Sequence, residues 1–235
     1  MNASLLLLAD SRLPAGGHAH SGGVEPAVTA GAVRDVEGLA GFLRGRLATS
    51  GLVAAALAAA ACAHAAAGEA AGEAAAGERA WERLDAEADA RTPSPAQRQA
   101  ARAQGRSLLR AARTTWPHPA LDALAATTRE PHHPLVLGAA AAAAGGTPLD
   151  AAAITASAAI TGPASAAVRL LGLDPLAVHR VLAALSADVD ATAAEAAADA
   201  AADPLDWTAL PAASAPVLDL YAELHHGADL RLFES

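Results

Sequence analysis

No lysine occurs among the 235 residues: all 16 basic side chains are arginine, a uniformity most simply explained by the codon usage of a GC-rich genome. Without lysine there is no G-x-x-x-x-G-K-S/T phosphate loop, so the chain is not expected to hydrolyse a nucleotide itself. The one cysteine, Cys62, lies in an alanine run. It can close no internal disulfide and calls for no oxidising compartment, so it reads as a small buried hydrophobe. Aromatic residues make up only 3%. Alanine forms helix well but buries little area, so the core must rely on close helix approach, with Trp81, Trp116, Trp207 and Phe42 as larger anchors. No run of alternating β-branched residues is present, which argues against sheet. Positive charge is in deficit, with a net charge of −9 and a pI near 5.4. A general basic face for nucleic acid or anionic membrane is therefore not expected. The leucine run in Met1–Asp10 is too short for a signal peptide and has no preceding positive charge. Gly51–Ala67 reaches only the low end of spanning length, is mostly alanine and carries His64, so it reads as a packed helix.

What remains is a chain that is 53% hydrophobic and 17% charged. It is expected to be all-α, a single-domain bundle of roughly eight to ten helices over residues 1–235. Residues 1–24 and 226–235 are candidates for mobile ends. Asp35 is placed to cap a helix running to about Ser50, with Gly51 punctuating it before an alanine-rich helix to about Ala67. Three glycines make 68–77 a weak point. Thr147-Pro148 and Asp174-Pro175 each read as an N-cap followed by proline at the first helical position. Gly162-Pro163 is expected to start a helix separate from the one before it, and 186–203 to be helix or linker. The end of the chain holds Val217, Leu218, Tyr221 and Leu224 at helical spacing.

Charge is patterned in one place. Glu78, Glu82, Asp85 and Asp89 share one helical face, and Arg98, Arg102, Arg106 and Arg110 share another beyond the break at Arg91–Pro95. An antiparallel hairpin would set Asp89 near Arg98 and Glu78 near Arg110. Exposed pairs contribute only about 0.2–1 kcal/mol each, so such lacing sets register more than stability. The arginines alternatively face an acidic partner protein or solvent.

Residues with catalytic or metal chemistry are present but poorly patterned. There are nine histidines, without H-E-x-x-H or C-x-x-C. His18/His20, His132/His133 and His225/His226 are pairs able to bind nickel or zinc, or are loop and packing residues. Ser21 follows His20, which raises a hydrolase reading, but there is no G-x-S-x-G and no preceding strand. Gly16-Gly17 and Gly22-Gly23 bracket the histidines and point to unusual backbone dihedrals, in a binding surface or a structural crossover.

Leu7-Leu-Ala-Asp-Ser-Arg-Leu-Pro-Ala-Gly-Gly-His-Ala-His-Ser-Gly-Gly-Val-Glu25 resembles the N-terminal signature of the UreF family, D-S-x-F-P-x-G-x-F-x-H-S-x-G-L-E after a leucine-rich start. Leu13, His18 and Val24 stand where that pattern often has Phe, Phe and Leu. Gln104–Leu109, His133–Gly138, Ser165–Leu170 and Leu230–Ser235 resemble later family segments in order. The resemblance implies an all-α protein, often homodimeric, cytoplasmic and not itself an enzyme. It binds the accessory protein UreD (also called UreH) and the GTPase UreG, and the assembly delivers nickel to apo-urease. No stably bound cofactor is implied; nickel is handled by the complex. By position, the resemblance makes His20, Ser21, Glu25 and Arg169 candidates for a UreG-facing or structural motif. It likewise makes His225, Arg231 and Phe233 candidates for tail contacts with UreD. The alternative is a nickel-binding metallochaperone or store built on the histidine pairs.

Overall fold

Alanine sets the architecture by letting backbones touch. The computed structural model describes the backbone of residues 2–71, 74–202 and 206–234, and their side chains except those of 69–78, 199, 201 and 202. Its central helix, Leu52–Ala71, is surrounded by His133–Ala143, Pro148–Leu171 and Ser186–Ala202. Ala55, Ala56 and Ala58–Ala61 are all buried there. A Cβ added at Gly138 would lie 2.1 Å from the Ala58 carbonyl oxygen, so only glycine permits this helix crossing. The apolar Gly51–Ala67 stretch is thus a packed core helix. Two helical runs, Val36–Gly68 and Pro148–Leu171, are long and apolar enough to cross a membrane by length and composition, and 61% of each apolar window is buried inside the fold.

Twelve α-helices make up the described residues, more than the sequence suggests, and no strand accompanies them. In chain order they are α1 Ala3–Ala9, α2 Val24–Thr29, α3 Val36–Arg46, α4 Leu52–Ala71, α5 Ala74–Ala90, α6 Pro95–Thr115, α7 Pro119–Thr127, α8 His133–Ala143, α9 Pro148–Leu171, α10 Pro175–Ala184, α11 Ser186–Ala202 and α12 Pro216–His226. The caps read from the sequence are in place. Asp35 accepts from Gly38 N–H at 2.8 Å, Asp174 accepts from Leu176 N–H at 3.0 Å, and Thr147 and Asp150 form a reciprocal capping box. The weak point at 68–77 falls largely outside the described side chains. Residues 186–202 are helix rather than linker.

Two expected helix boundaries are not boundaries. Gly51 does not stop α3. Leu47–Gly51 is a single π-helical turn that runs on into α4, and a Cβ at Gly51 would meet Ala159 of α9 at 3.4 Å. Gly162-Pro163 likewise does not start a helix, because α9 runs through it as one element of 24 residues. Proline cannot donate to the carbonyl four residues back, and a helix with that carbonyl unsatisfied would be costly. Here Arg46 supplies the missing donor: its Nε–H reaches the Ala159 carbonyl oxygen at 3.0 Å.

The charged hairpin is formed in part. Arg102 binds Asp85 at 2.8 Å and Asp89 at 2.7 Å, and Arg98 lies 4.0 Å from Asp89. Past that point the stripe turns away. Arg106 pairs with Glu130 and Arg113 with Asp122, because α6 packs on α7 and α8. Glu78, the expected partner of Arg110, is outside the described side chains. Gly105 explains the close approach of α6 to the start of α8: a Cβ there would come within 1.9 Å of the Pro131 carbonyl oxygen.

Candidate functional site

The chain's two ends meet at one place, and Glu25 joins them. Gly22 and Gly23 adopt left-handed φ of 62° and 87°, which turns the N-terminal loop into α2. Gly22 also sits on Pro163, where a Cβ would meet the proline ring at 2.8 Å. The loop therefore rests on the proline of α9 and on Arg46. Ser21 is fully buried, and its Oγ lies 3.3 Å from the Glu25 N–H that donates to it. A hydroxyl so enclosed and so used is a structural cap; it offers no exposed nucleophile.

The Glu25 carboxylate, 8% exposed, accepts backbone N–H bonds from Leu232 at 2.7 Å and Phe233 at 3.0 Å. His225 Nε2 lies 3.1 Å from the Phe233 carbonyl oxygen and 3.6 Å from the Glu25 carboxylate. The Arg169 guanidinium stands 4.7 Å over the Phe233 ring, a cation–π contact. Glu234 N–H donates to the Ala19 carbonyl oxygen at 2.8 Å, and the Glu234 carboxylate lies 3.8 Å from His20 Nε2. Burial pushes His20 below the usual imidazole range, with Glu234 opposing it. Six of the seven candidate residues, His20, Ser21, Glu25, Arg169, His225 and Phe233, thus form one clasp between the N-terminal loop and the C-terminal tail. The seventh, Arg231, points outward, with its guanidinium 3.5 Å from the His226 carbonyl oxygen.

Beneath the clasp lies a cavity of about 300 Å³ between the loop, α4, α6, the start of α8 and α12, lined by Arg46, Gln97, Gln104, His133 and Asp219 among others. Burial lowers Arg46 to about 10, pushes His133 down to about 4 and raises Asp219. Sequence reasoning did not single out Arg46 for this site. The available signal was Pro163 inside an unbroken apolar helical run, which leaves a carbonyl one turn earlier in need of a donor.

Both histidine pairs after residue 130 border the cavity, but their members differ in surroundings. His132 is buried and bound to Asp89 at 2.7 Å, whereas His133 is half-buried. His225 is buried in the clasp, whereas His226 is exposed. Among the described residues no three His, Cys, Asp or Glu side chains are gathered closely enough to hold a metal ion. Outside the clasp, Val217, Leu220 and Leu224 project from α12 into solvent, and Leu230 and Leu232 extend the exposed apolar surface along the tail.

A family model described as UreF matches residues 33–186. The urease accessory protein UreF of Mycolicibacterium vanbaalenii is 47% identical over 233 residues, covering 99% of this chain and 98% of that protein. The protein of the same description from Mycobacterium sp. (strain JLS) is 45% identical over 235 residues, again covering 99% of this chain and 98% of its own length. That of Mycobacterium tuberculosis is 40% identical over 233 residues, with the same coverage.

Proposed function

The chain belongs to the UreF family of urease accessory proteins, and from that premise we propose that it serves urease maturation as a scaffold. In this reading it is a cytoplasmic homodimer that binds UreD and regulates the GTPase UreG while the assembly inserts nickel into apo-urease. It presents surfaces and performs no chemistry of its own. Full-length identity to urease accessory proteins is the observation that carries the proposal.

The geometry supports it in two ways. The candidate polar residues are spent on holding the two chain ends together, with Ser21 and His225 both buried. Beside them, α12 and the tail expose five large aliphatic side chains on the segment expected to meet UreD. An exposed apolar strip with a polar surround is the mark of an interaction site. The test is a pull-down on immobilised UreD. Arg231→Ala is expected to weaken capture directly, and Phe233→Ala to weaken it by releasing the tail. Undiminished capture of the double variant removes the tail from the UreD contact.

A further inference from the structure

The arginine stripe of α6 divides into two halves with different surroundings. Arg102 is satisfied by Asp85 and Asp89, and Arg98 donates to the Thr92 and Pro93 carbonyls, 4.0 Å from Asp89. Arg106, Arg110 and Arg113 instead line an open groove of about 580 Å³ with Arg129, Asp122 and the buried Leu109. Asp122 engages Arg113, and Glu130 engages Arg106. Among the described residues no carboxylate pairs with Arg110 or Arg129, and both are exposed. Among the described residues four guanidiniums thus face two carboxylates, a local excess of positive charge on a chain of net charge −9. A cation in the last turn of a helix offsets the helix dipole, which accounts for Arg113. It does not account for Arg110, which lies more than a turn before the end of α6.

We propose that this groove docks an acidic segment of a partner protein, whose carboxylates engage Arg110 and Arg129. The proposal rests on the scaffold reading and adds a surface remote from the tail clasp. Arginine pairs with carboxylates through two parallel N–H bonds, which gives direction as well as charge. A nucleic acid would have to approach through the repulsive field of a chain of net charge −9, whereas a short acidic segment feels mainly the local excess.

Biolayer interferometry tests this with the immobilised full-length chain and purified UreD, UreG and apo-urease in turn, at about 50 and about 300 mM salt, either side of physiological ionic strength. Arg110→Glu with Arg129→Glu is expected to raise Kd for one of the three roughly tenfold or more at low salt and to flatten its salt dependence. Arg44→Glu with Arg180→Glu changes net charge equally on other exposed positions and is expected to leave that Kd within about twofold. Unchanged Kd and salt slope in the groove variant for every partner overturns the docking surface and leaves the scaffold reading standing. Failure of the unaltered chain to bind any of the three overturns both. Salt-sensitive capture of a labelled oligonucleotide that the groove variant alone loses, with protein binding intact, overturns the proposal in favour of nucleic acid.

Discussion

Replacing Glu25 by alanine should open the clasp and leave the helical core folded. The carboxylate accepts two backbone N–H groups of the tail, and Phe233 N–H is buried where no water can replace it. Hydrogen bonds to a charged acceptor contribute about 1.5–3 kcal/mol, and a buried donor left unsatisfied costs about 1–3 kcal/mol. Against this, burial of the Phe233 side chain contributes about 1.5–3 kcal/mol and its cation–π contact with Arg169 about 0.5–2 kcal/mol. The two sides are of similar size, so losing the carboxylate removes roughly half of what holds the tail. Taking the lower end of the two bonds, a loss of about 3 kcal/mol corresponds to roughly 150-fold faster local opening. Amide hydrogen exchange reads this directly at Leu232, Phe233 and Glu234, the amides that bond across to Glu25 and Ala19. The acceleration should be confined to the tail and α12. Glu25→Gln keeps one acceptor oxygen and should fall between the two. Unchanged exchange at these amides in Glu25→Ala, or unprotected amides in the unaltered chain, would refute the reasoning.

Other consequences can be checked independently. Gly105→Ala and Gly138→Ala drive a Cβ into backbone at 1.9 and 2.1 Å, so each should cost about 3 kcal/mol or more in chemical denaturation, whereas Gly41→Ala, exposed within α3 and with open space around its Cβ, should gain about 0.5–1 kcal/mol. His133 is held neutral in the fold, its folded pKa near 4 against 6.5 when exposed. The unfolded chain therefore takes up more protons between those values; stability is complete above pH 6.5 and falls as pH drops toward 4, by up to about 1.4 kcal/mol per unit. His133→Gln should flatten that part of a pH series of denaturation midpoints. Arg91 donates to the carbonyls of Trp207, Thr208, Leu210 and Pro211 at 3.0–3.2 Å. Arg91→Met should cost about 2–3 kcal/mol and change Trp207 fluorescence as the 207–211 segment loosens, and Arg91→Lys should recover only part because a point charge cannot reach four acceptors.

Much of the fold was legible because local rules governed it. Asp35, Thr147 and Asp174 cap helices where short-range hydrogen bonding says they should, and the alanine runs form a core of closely approaching helices. Where the sequence misleads, a distant residue overrides the local signal. Pro163 should end a helix, but Arg46, 117 positions earlier in the chain, takes over the orphan carbonyl and α9 continues. Gly51 should break one, but it is buried against α9 and the chain passes through as a π turn. The charge stripe pairs as expected beside the hairpin turn, where chain connectivity fixes proximity. Farther along, helix packing decides, and Arg106 and Arg113 find Glu130 and Asp122.

The candidate site followed the same division. The resemblance, at the two chain ends and at Ser165–Leu170, pointed to His20, Ser21, Glu25, Arg169, His225, Arg231 and Phe233 as two separate groups. Nothing in their spacing said that Glu25 and Phe233, 208 positions apart, would be hydrogen-bonded. That contact depends on α12 returning across α2 and α6, a tertiary fact with no local signature.

The central claim is that this chain acts by offering helical surfaces to the urease maturation proteins. Size-exclusion chromatography with light scattering, on the purified chain mixed with UreD and UreG, tests it most directly. A single peak containing all three proteins is the predicted result; a chain that elutes apart from both at micromolar concentration would contradict it.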